Sequence, residues 1–391
     1  MNKKLNIICH AFPSWRGDYL KSTVQLMKEM ATDHHVLYID YAYSWKDILV
    51  NSWKNSYIPV RRILGFSSPL EKVVLSGNAT IHVLSLPPII PYNWISNEGL
   101  FNFIRNINRI IVRGRISKAV KQLKFQEPYV VNAFNPYFDF SLFKEFKPSK
   151  SVYYCYDNIA AAAWASKHGS RLEKEVMTEA DITVYTSTNL QQTKSNKSIK
   201  SVVVTNGVDL RNFEKEMNYI LVPRESSKVD IGYVGSVDDR LDYQLLELMV
   251  RSYPHWGFHF YGRIVGKQVE RLEDYPNVHF YGSVPVEQLP VKIRNFNVAI
   301  IPFVKSEFTK NIYPMKANEY LALGVPVVMT AFAELPGLEG YVSVVDGAGF
   351  VKQLQTEIDN DTPDLKIARM QKAVTNSWKN KADEFIAILR K

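Results

Sequence analysis

The chain has 391 residues, of which 46% are hydrophobic and 22% charged, with two cysteines and a formal net charge of +9. Such a length and composition are those of a globular protein with two buried cores, so two domains are expected. Cys9 and Cys155 lie in apolar runs and argue neither for a disulfide framework nor for a metal site, which fits a reducing cytoplasm. The start, MNKKLNIICHAF, has too short and interrupted an apolar run for a signal peptide, and no stretch of 18 apolar residues is present to span a membrane. The basic excess is uneven. Residues 1–210 hold 26 Lys and Arg against 16 Asp and Glu, and the remainder 22 against 23. An anionic membrane, an anionic acceptor or a nucleic acid would each suit the first half.

In chain order, strands are predicted at Leu5–Cys9 and Val36–Asp40 with a helix at Ser22–Met30 between them. Further strands are predicted at Ile81–Ser85, Tyr129–Asn132, Val152–Cys155 and Ile182–Tyr185. A second series runs through Ile231–Val234, Phe258–Tyr261, Val278–Phe280, Val298–Ile301 and Pro326–Met329. Strands alternating with helical stretches predict parallel sheets covered on both faces, hence an α/β protein of two doubly wound domains. The polar Phe213–Lys228 stretch, with Pro223, reads as the linker, which gives domains at 1–212 and 213–364. Leu365–Lys391 reads as an amphipathic helix carrying Trp378. In such sheets ligands bind beyond the carboxyl ends of the strands.

The most informative stretch is Tyr313–Val328, YPMKANEYLALGVPVV. Pro314 suits a first helical turn, Gly324 the left-handed residue after a helix, and Val325–Val328 a buried strand. Lys316 and Glu319, three residues apart, share a helix face. A helix start favours phosphate, so Lys316 fits a diphosphate and Glu319 the ribose hydroxyls; the alternative is a solvated ion pair. In IGYVGSVDDR, Gly232 and Gly235 let backbone approach a ligand, Ser236 adds a hydroxyl and Arg240 matches phosphate. Otherwise Arg240 pairs with Asp238 or Asp242 in an ordinary turn. Thr309 and Tyr313 lie in the loop beyond the Val298–Ile301 strand and can hydrogen-bond sugar or phosphate.

On the first half, Asp157 follows a strand in SVYYCYDNIAAAAW and reads either as a general base or as an N-cap. His10, Arg16, Gly17, Asp18 and Asn135 also follow strand ends and are acceptor-side candidates, His10 the weakest of them. Asn206 and Asp209, in NGVD, read as a turn. Phe101–Lys124 has seven basic and no acidic residues at helical spacing. It reads as a basic amphipathic helix docked on an anionic membrane, or as a core helix with a solvated face. Nucleic-acid binding is disfavoured, because aromatic residues do not interleave with the basic run as a stacking platform.

The order strand, loop, Pro-x-Lys-x-x-Glu-Tyr-Leu, Gly-x-Pro-Val-Val, with IGYVGSVDDRLDYQLL, FHFYGR, NVHFYGSVPVEQLP and NVAIIPF before it, resembles the donor half of GT-B glycosyltransferases. Within these the chain looks like the bacterial surface-polysaccharide enzymes, including those of teichuronic acid biosynthesis, and more distantly like the xanthan glucuronosyltransferase family. The resemblance implies two Rossmann-like domains facing a cleft, with residues 365–391 forming a helix that crosses back to the N-terminal domain. It implies a nucleotide-sugar donor, by default UDP-linked, and a glycan or lipid-linked acceptor. It brings Tyr261 and Val284 to the nucleobase, Pro314 and Met315 to the donor with Lys316 and Glu319, and Asp157 to the acceptor as base. No cofactor or metal is expected, since protein groups meet the leaving-group charge, and the expected location is the cytoplasm, peripheral to the inner face of the membrane where Phe101–Lys124 docks. Many retaining members carry Glu-x7-Glu; here the first position is Asn311, which turns the expectation toward inversion. The other classes weighed are a nucleotide-sugar 2-epimerase on the same scaffold, against which the sparse His and carboxylate content of the loops speaks, and a non-catalytic membrane or glycan-binding protein.

Overall fold

The structure is a computed structural model that describes residues 3–17, 21–51, 57–138, 142–161, 165–195, 198–223 and 227–391. The chain divides into two compact units, Met1–Val204 with Lys381–Lys391, and Thr205–Asn380.

Unit 1 is built on an eight-stranded sheet. Its strands are β1 (Asn6–Ala11), β2 (His35–Ile39), β3 (Leu70–Val74), β4 (Thr80–Leu84), β5 (Tyr129–Ala133), β6 (Lys150–Cys155), β7 (Ile182–Tyr185) and β8 (Ser201–Val203). Their order is β3-β4-β2-β1-β5-β6-β7-β8, and only β3 runs antiparallel to its neighbour. The central strands are almost wholly buried, as runs such as NIICHA and KSVYYC require when helices cover both faces. Unit 2 carries six parallel strands, β9 (Asp230–Val234), β10 (Gly257–Tyr261), β11 (Val278–Phe280), β12 (Val298–Ile301), β13 (Val327–Met329) and β14 (Val342–Val344), in the order β11-β10-β9-β12-β13-β14.

Each sheet winds outward in both directions from its first strand. The strand order therefore reverses at β1/β5 in unit 1 and at β9/β12 in unit 2, and the loops leaving those carboxyl ends are where a ligand crevice forms. The α/β, doubly wound expectation is met in both units.

Two boundaries differ from the sequence reading. The division falls at Val204–Thr205, and the 213–228 stretch is no linker where it is described. Phe213 is buried in the unit 2 core, and Glu216 pairs with Arg294 at 2.9 Å. The C-terminal segment is two helices, Pro363–Thr375 in unit 2 and Trp378–Arg390, and only residues from Lys381 belong to unit 1. The break is stapled by backbone: Val208 N donates to Asn376 O at 3.1 Å and Trp378 N to Val208 O at 3.0 Å. A Cβ on Gly207 would lie 2.8 Å from Trp378 N, so NGVD is a structural turn, with Asp209 capping the turn that follows.

Candidate active site

In unit 2 the helix Met315–Ala322 begins just after Pro314, which precedes the first turn in an extended conformation instead of occupying it. Gly324 closes the helix at φ 69°; its N–H bonds Leu321 O, and Val325 N–H bonds Tyr320 O, the paired pattern of a left-handed helix stop. This fixes Lys316 and Glu319 in the first two turns, beyond the β12 end. The Lys316 ammonium reaches across to β9. A Cβ on Gly235 would come within 2.7 Å of Lys316 Nζ, so glycine makes room for the charge. The ring centres of Tyr233 and Phe303 each lie 5.2 Å from Nζ, within cation–π range. Burial, then the nearby Arg240 charge, lowers the Lys316 pKa to about 8, with Glu319 and Asp238 opposing. Burial raises Glu319 in turn, against the pull of Lys316. Among the described residues, neither Lys316 nor Glu319 has an ion-pair partner within 4.0 Å.

The floor beside them is made of three strand-end glycine turns. Gly235 N–H bonds Tyr261 O at 2.8 Å, and Gly262 N–H bonds Gly282 O at 2.7 Å. Gly262 sits at φ 151°, and a Cβ there would stand 2.0 Å from Gly235 O. Glycine at this position serves backbone-to-backbone contact. Ser236, half-buried, flanks Lys316, and its carbonyl accepts from the Tyr233 hydroxyl at 3.0 Å.

Several expected roles read differently in three dimensions. Arg240 is clamped by Asp238 through two bonds of 2.8 and 2.7 Å and lies over the Phe303 ring, while Asp242 caps the next helix; the ordinary-turn alternative describes this arginine. Thr309 is buried, and its hydroxyl donates to Val304 O at 2.5 Å and accepts from Ser306 N–H, so it closes its own loop. Tyr313 is buried, with its hydroxyl 3.5 Å from Asn318 Nδ2, and Asn311 is buried with its amide on Glu307 O. Tyr261 stacks on Tyr281 at 4.4 Å and Val284 packs against the unit 2 core, both as packing. Met315 is half-buried in the first turn.

In unit 1, the β1/β5 switch point gathers His10 and Asn135. Both are wholly buried, with Asn135 Nδ2 3.2 Å from His10 Nε2 and 3.0 Å from Ala11 O. Burial lowers the His10 pKa to about 3, so the ring is neutral and supports the loops from beneath. Phe134 beside it adopts φ 52°, a costly conformation for a bulky residue, and Asn135 N–H is tied to Asn132 Oδ1 at 2.9 Å. Arg16 is taken by both oxygens of Glu71, at 2.8 and 2.7 Å. A Cβ on Gly17 would meet Lys21 Nζ at 2.7 Å. Asp18 lies outside the described residues. The sequence reading missed Lys21 and Asp40, which build this loop. Lys21 Nζ donates to Ser14 O and Arg16 O, and Asp40 Oδ1 accepts from Trp15 N–H and Tyr41 N–H at 2.7 and 2.9 Å. Burial raises the Asp40 pKa to about 6 despite those bonds. An Asp ending a strand beside a lysine-headed helix was the available signal.

Asp157 stands at the end of β6, half-buried. The cap alternative belongs to its neighbour, since Asn158 Oδ1 receives Ala160 N–H, while Asp157 Oδ1 receives Asn158 N–H at 2.7 Å. Behind it lies a buried ion pair, Lys194 with both oxygens of Glu173 at 2.8 Å. Lys194 Nζ also reaches Asp157 O at 3.3 Å, and the Tyr153 hydroxyl donates to Glu173 Oε1 at 2.9 Å.

Two doubly wound α/β units, each with a strand-order reversal, are the plan of the GT-B fold. Residues 228–360, which hold the Lys316 constellation, match the family model Glycosyl transferases group 1. Over 134 residues the chain is 27% identical to TuaH of Bacillus subtilis, a protein named for glycosyl transfer in teichuronic acid biosynthesis; that stretch is 32% of this chain and 33%, about a third, of the relative's length. Among solved structures the chain is similar to sucrose-phosphate synthase from Thermosynechococcus elongatus, with TM-score 0.69 and 16% identity over 99% of this chain and 98% of that one. It is similar to the UDP-forming trehalose-phosphate synthase of Burkholderia vietnamiensis at TM-score 0.66 and 11% identity, over 100% and 98%. The catalytic domain of Arabidopsis thaliana starch synthase IV, solved with ADP and acarbose, gives 0.63 at 9% identity over 99% of each chain. These structural likenesses establish the fold.

Proposed function

We propose that the protein is a glycosyltransferase that moves a sugar from a UDP-linked donor to a glycan or lipid-linked acceptor in the building of a surface polysaccharide. The Lys316 ammonium carries this reading. It is half withdrawn from water against Gly235, walled by two aromatic rings, and without an ion-pair partner within 4.0 Å among the described residues. A cation so placed gains most from an anion that brings its own charge, and the positive end of the 315–322 helix adds to the attraction. Glu319 has the position for ribose hydroxyls. The UDP-forming and ADP-bound neighbours support a nucleoside diphosphate here, and the Bacillus relative supports a polysaccharide context.

In this reaction the acceptor oxygen forms the new bond to the anomeric carbon. The bond from that carbon to the diphosphate breaks, and the leaving oxygen keeps the electron pair. The hydroxyl proton passes to the Asp157 carboxylate, which acts as general base of a single, inverting displacement. Charge on the departing diphosphate is met by Lys316 and helix N–H groups, which is the role a metal would otherwise fill. Arg240, clamped by Asp238, shapes the wall.

The test joins UDP calorimetry to an assay of UDP release and product stereochemistry by NMR. Lys316→Ala should weaken UDP binding by roughly tenfold to a hundredfold, the worth of one charge-assisted contact. Asp157→Asn should keep UDP affinity and lower turnover by about 10²–10⁴. Unchanged UDP affinity in the first variant would remove the phosphate role, and a 2-epimer of the donor sugar as product would replace transfer by epimerisation.

A further inference from the structure

The helix Glu98–Gln122 of unit 1 has two apolar faces where a surface helix needs one. Phe101, Asn108, Val112, Ile116 and Ala119 face the core and are buried, with Asn108 bonded through its amide to the backbone of Ile90. Leu100, Phe103, Ile107 and Ile110 recur at steps of three and four along a different side. Phe103 is 62% exposed and Ile110 70%. Trp94, in the turn ahead of the helix, is 67% exposed, and its carbonyl is pinned by Lys167 at 2.6 Å. Single exposed apolar residues are ordinary, but a continuous stripe on one helix is a contact surface.

The charges say what kind. Of the arginines on this helix, Arg105 pairs with Glu175 at 3.4 Å and Arg113 with Glu145 at 2.7 Å, and Arg115 donates inward to Ile63 O at 2.9 Å. The stripe itself continues into Lys118 and Lys121, both exposed and, among the described residues, without a carboxylate within 4.0 Å. All of the chain's basic excess lies in residues 1–210. We infer that this face lies on an anionic lipid surface. Trp94, Leu100, Phe103 and Ile110 enter the headgroup boundary, and Lys118 and Lys121 meet the lipid phosphates. The apolar stripe, not the arginine series at steps of four, is the anchoring element. The inference is independent of the donor-site reading, since none of these residues belongs to it.

The experiment is co-sedimentation of the full chain with vesicles of phosphatidylcholine, alone or mixed with phosphatidylglycerol in about equal amounts, with light scattering for oligomeric state. The wild type should pellet with the anionic vesicles. Phe103→Ser with Ile110→Ser, both on the solvent side, should keep the melting temperature and lower binding by about tenfold or more, at low and high salt alike. Lys118→Glu with Lys121→Glu should lower binding at low salt and lose that effect at high salt. Wild type left in the supernatant, or either double variant binding as the wild type does, would overturn the inference. A wild-type dimer that the serine variant converts to monomer, without vesicle binding, would assign the face to a second copy of this chain.

Discussion

Lys316 shows how one residue ties the backbone to the chemistry. Its spacing from Glu319 was readable because positions three apart on a helix must share a face. Its consequence was not, because the depressed pKa comes from burial and then from the Arg240 charge, which lies far away in sequence. The same holds for Arg240. Asp238 and Asp242 were both within reach, and only the loop geometry shows that the first takes the guanidinium while the second caps a helix. A pH prediction follows. Lysine binds diphosphate in its charged form, and in the free protein that form is lost as pH rises through about 8. UDP affinity should therefore fall by up to about tenfold per pH unit above that value. Stability moves the other way. With the folded pKa below the unfolded one, the unfolded chain binds more protons between about 8 and the ordinary lysine value of 10.5, so this group's contribution to stability rises with pH there. Lys316→Arg, charged throughout, should abolish the alkaline loss of UDP affinity in calorimetry. A wild-type affinity flat from neutral pH to pH 10 would show that the ammonium does not touch the nucleotide.

At the scale of elements, the buried strands were legible and most edge strands were not. Ile182–Tyr185 and Val298–Ile301 were readable to the residue, since apolar runs bounded by polar turns have few other uses, and of the edge strands only Val278–Phe280 was read in full. β3, β8 and β14 (LEKVV, SVV and VSV) are short, lie at sheet edges and mix polar with apolar residues, so no run announces them. The strand-end glycines were visible, but what each one makes room for was not. Gly262 lets the Gly235 carbonyl approach, a contact between two turns that are far apart in sequence. Gly262→Ala brings a Cβ to 2.0 Å from that oxygen at φ 151°, and backbone on both sides leaves little room to yield. The variant should lose on the order of 2–3 kcal/mol of stability and, by pushing the Gly235 turn against Lys316, weaken UDP binding as well. Chemical denaturation with UDP titration checks both. An alanine variant that melts and binds like the wild type would mean that the two turns do not touch.

For the whole molecule, the two-domain plan was legible from the repeated strand–helix alternation, but its seams were not. Polarity pointed to Phe213–Lys228, while the division at Val204–Thr205 falls in SVVVTNGVD, where an apolar run passes from β8 straight into a turn with no change of composition. The C-terminal crossing is likewise shorter than the resemblance implied, because the Asn376–Trp378 backbone is spent on Val208. What returns to unit 1 is a short segment with a firm grip. Phe385 is fully buried edge-on to Tyr154 at 5.7 Å, Leu389 is buried, Ile388 O accepts from Lys150 at 3.4 Å, and Arg390 donates to Lys3 O at 3.1 Å. The two ends of the chain thus stabilise the same unit, while every proposed donor residue lies in the other. Phe385→Ala empties a core site in unit 1 and should cost about 3–5 kcal/mol, lowering the unit 1 melting transition by on the order of ten degrees. UDP affinity at 25 °C should stay within about twofold of wild type, since Lys316, Glu319 and the glycine turns fold within Thr205–Asn380. Calorimetric melting beside UDP titration separates the two effects, and a variant that binds UDP poorly while melting normally would reverse this assignment of the C-terminal segment.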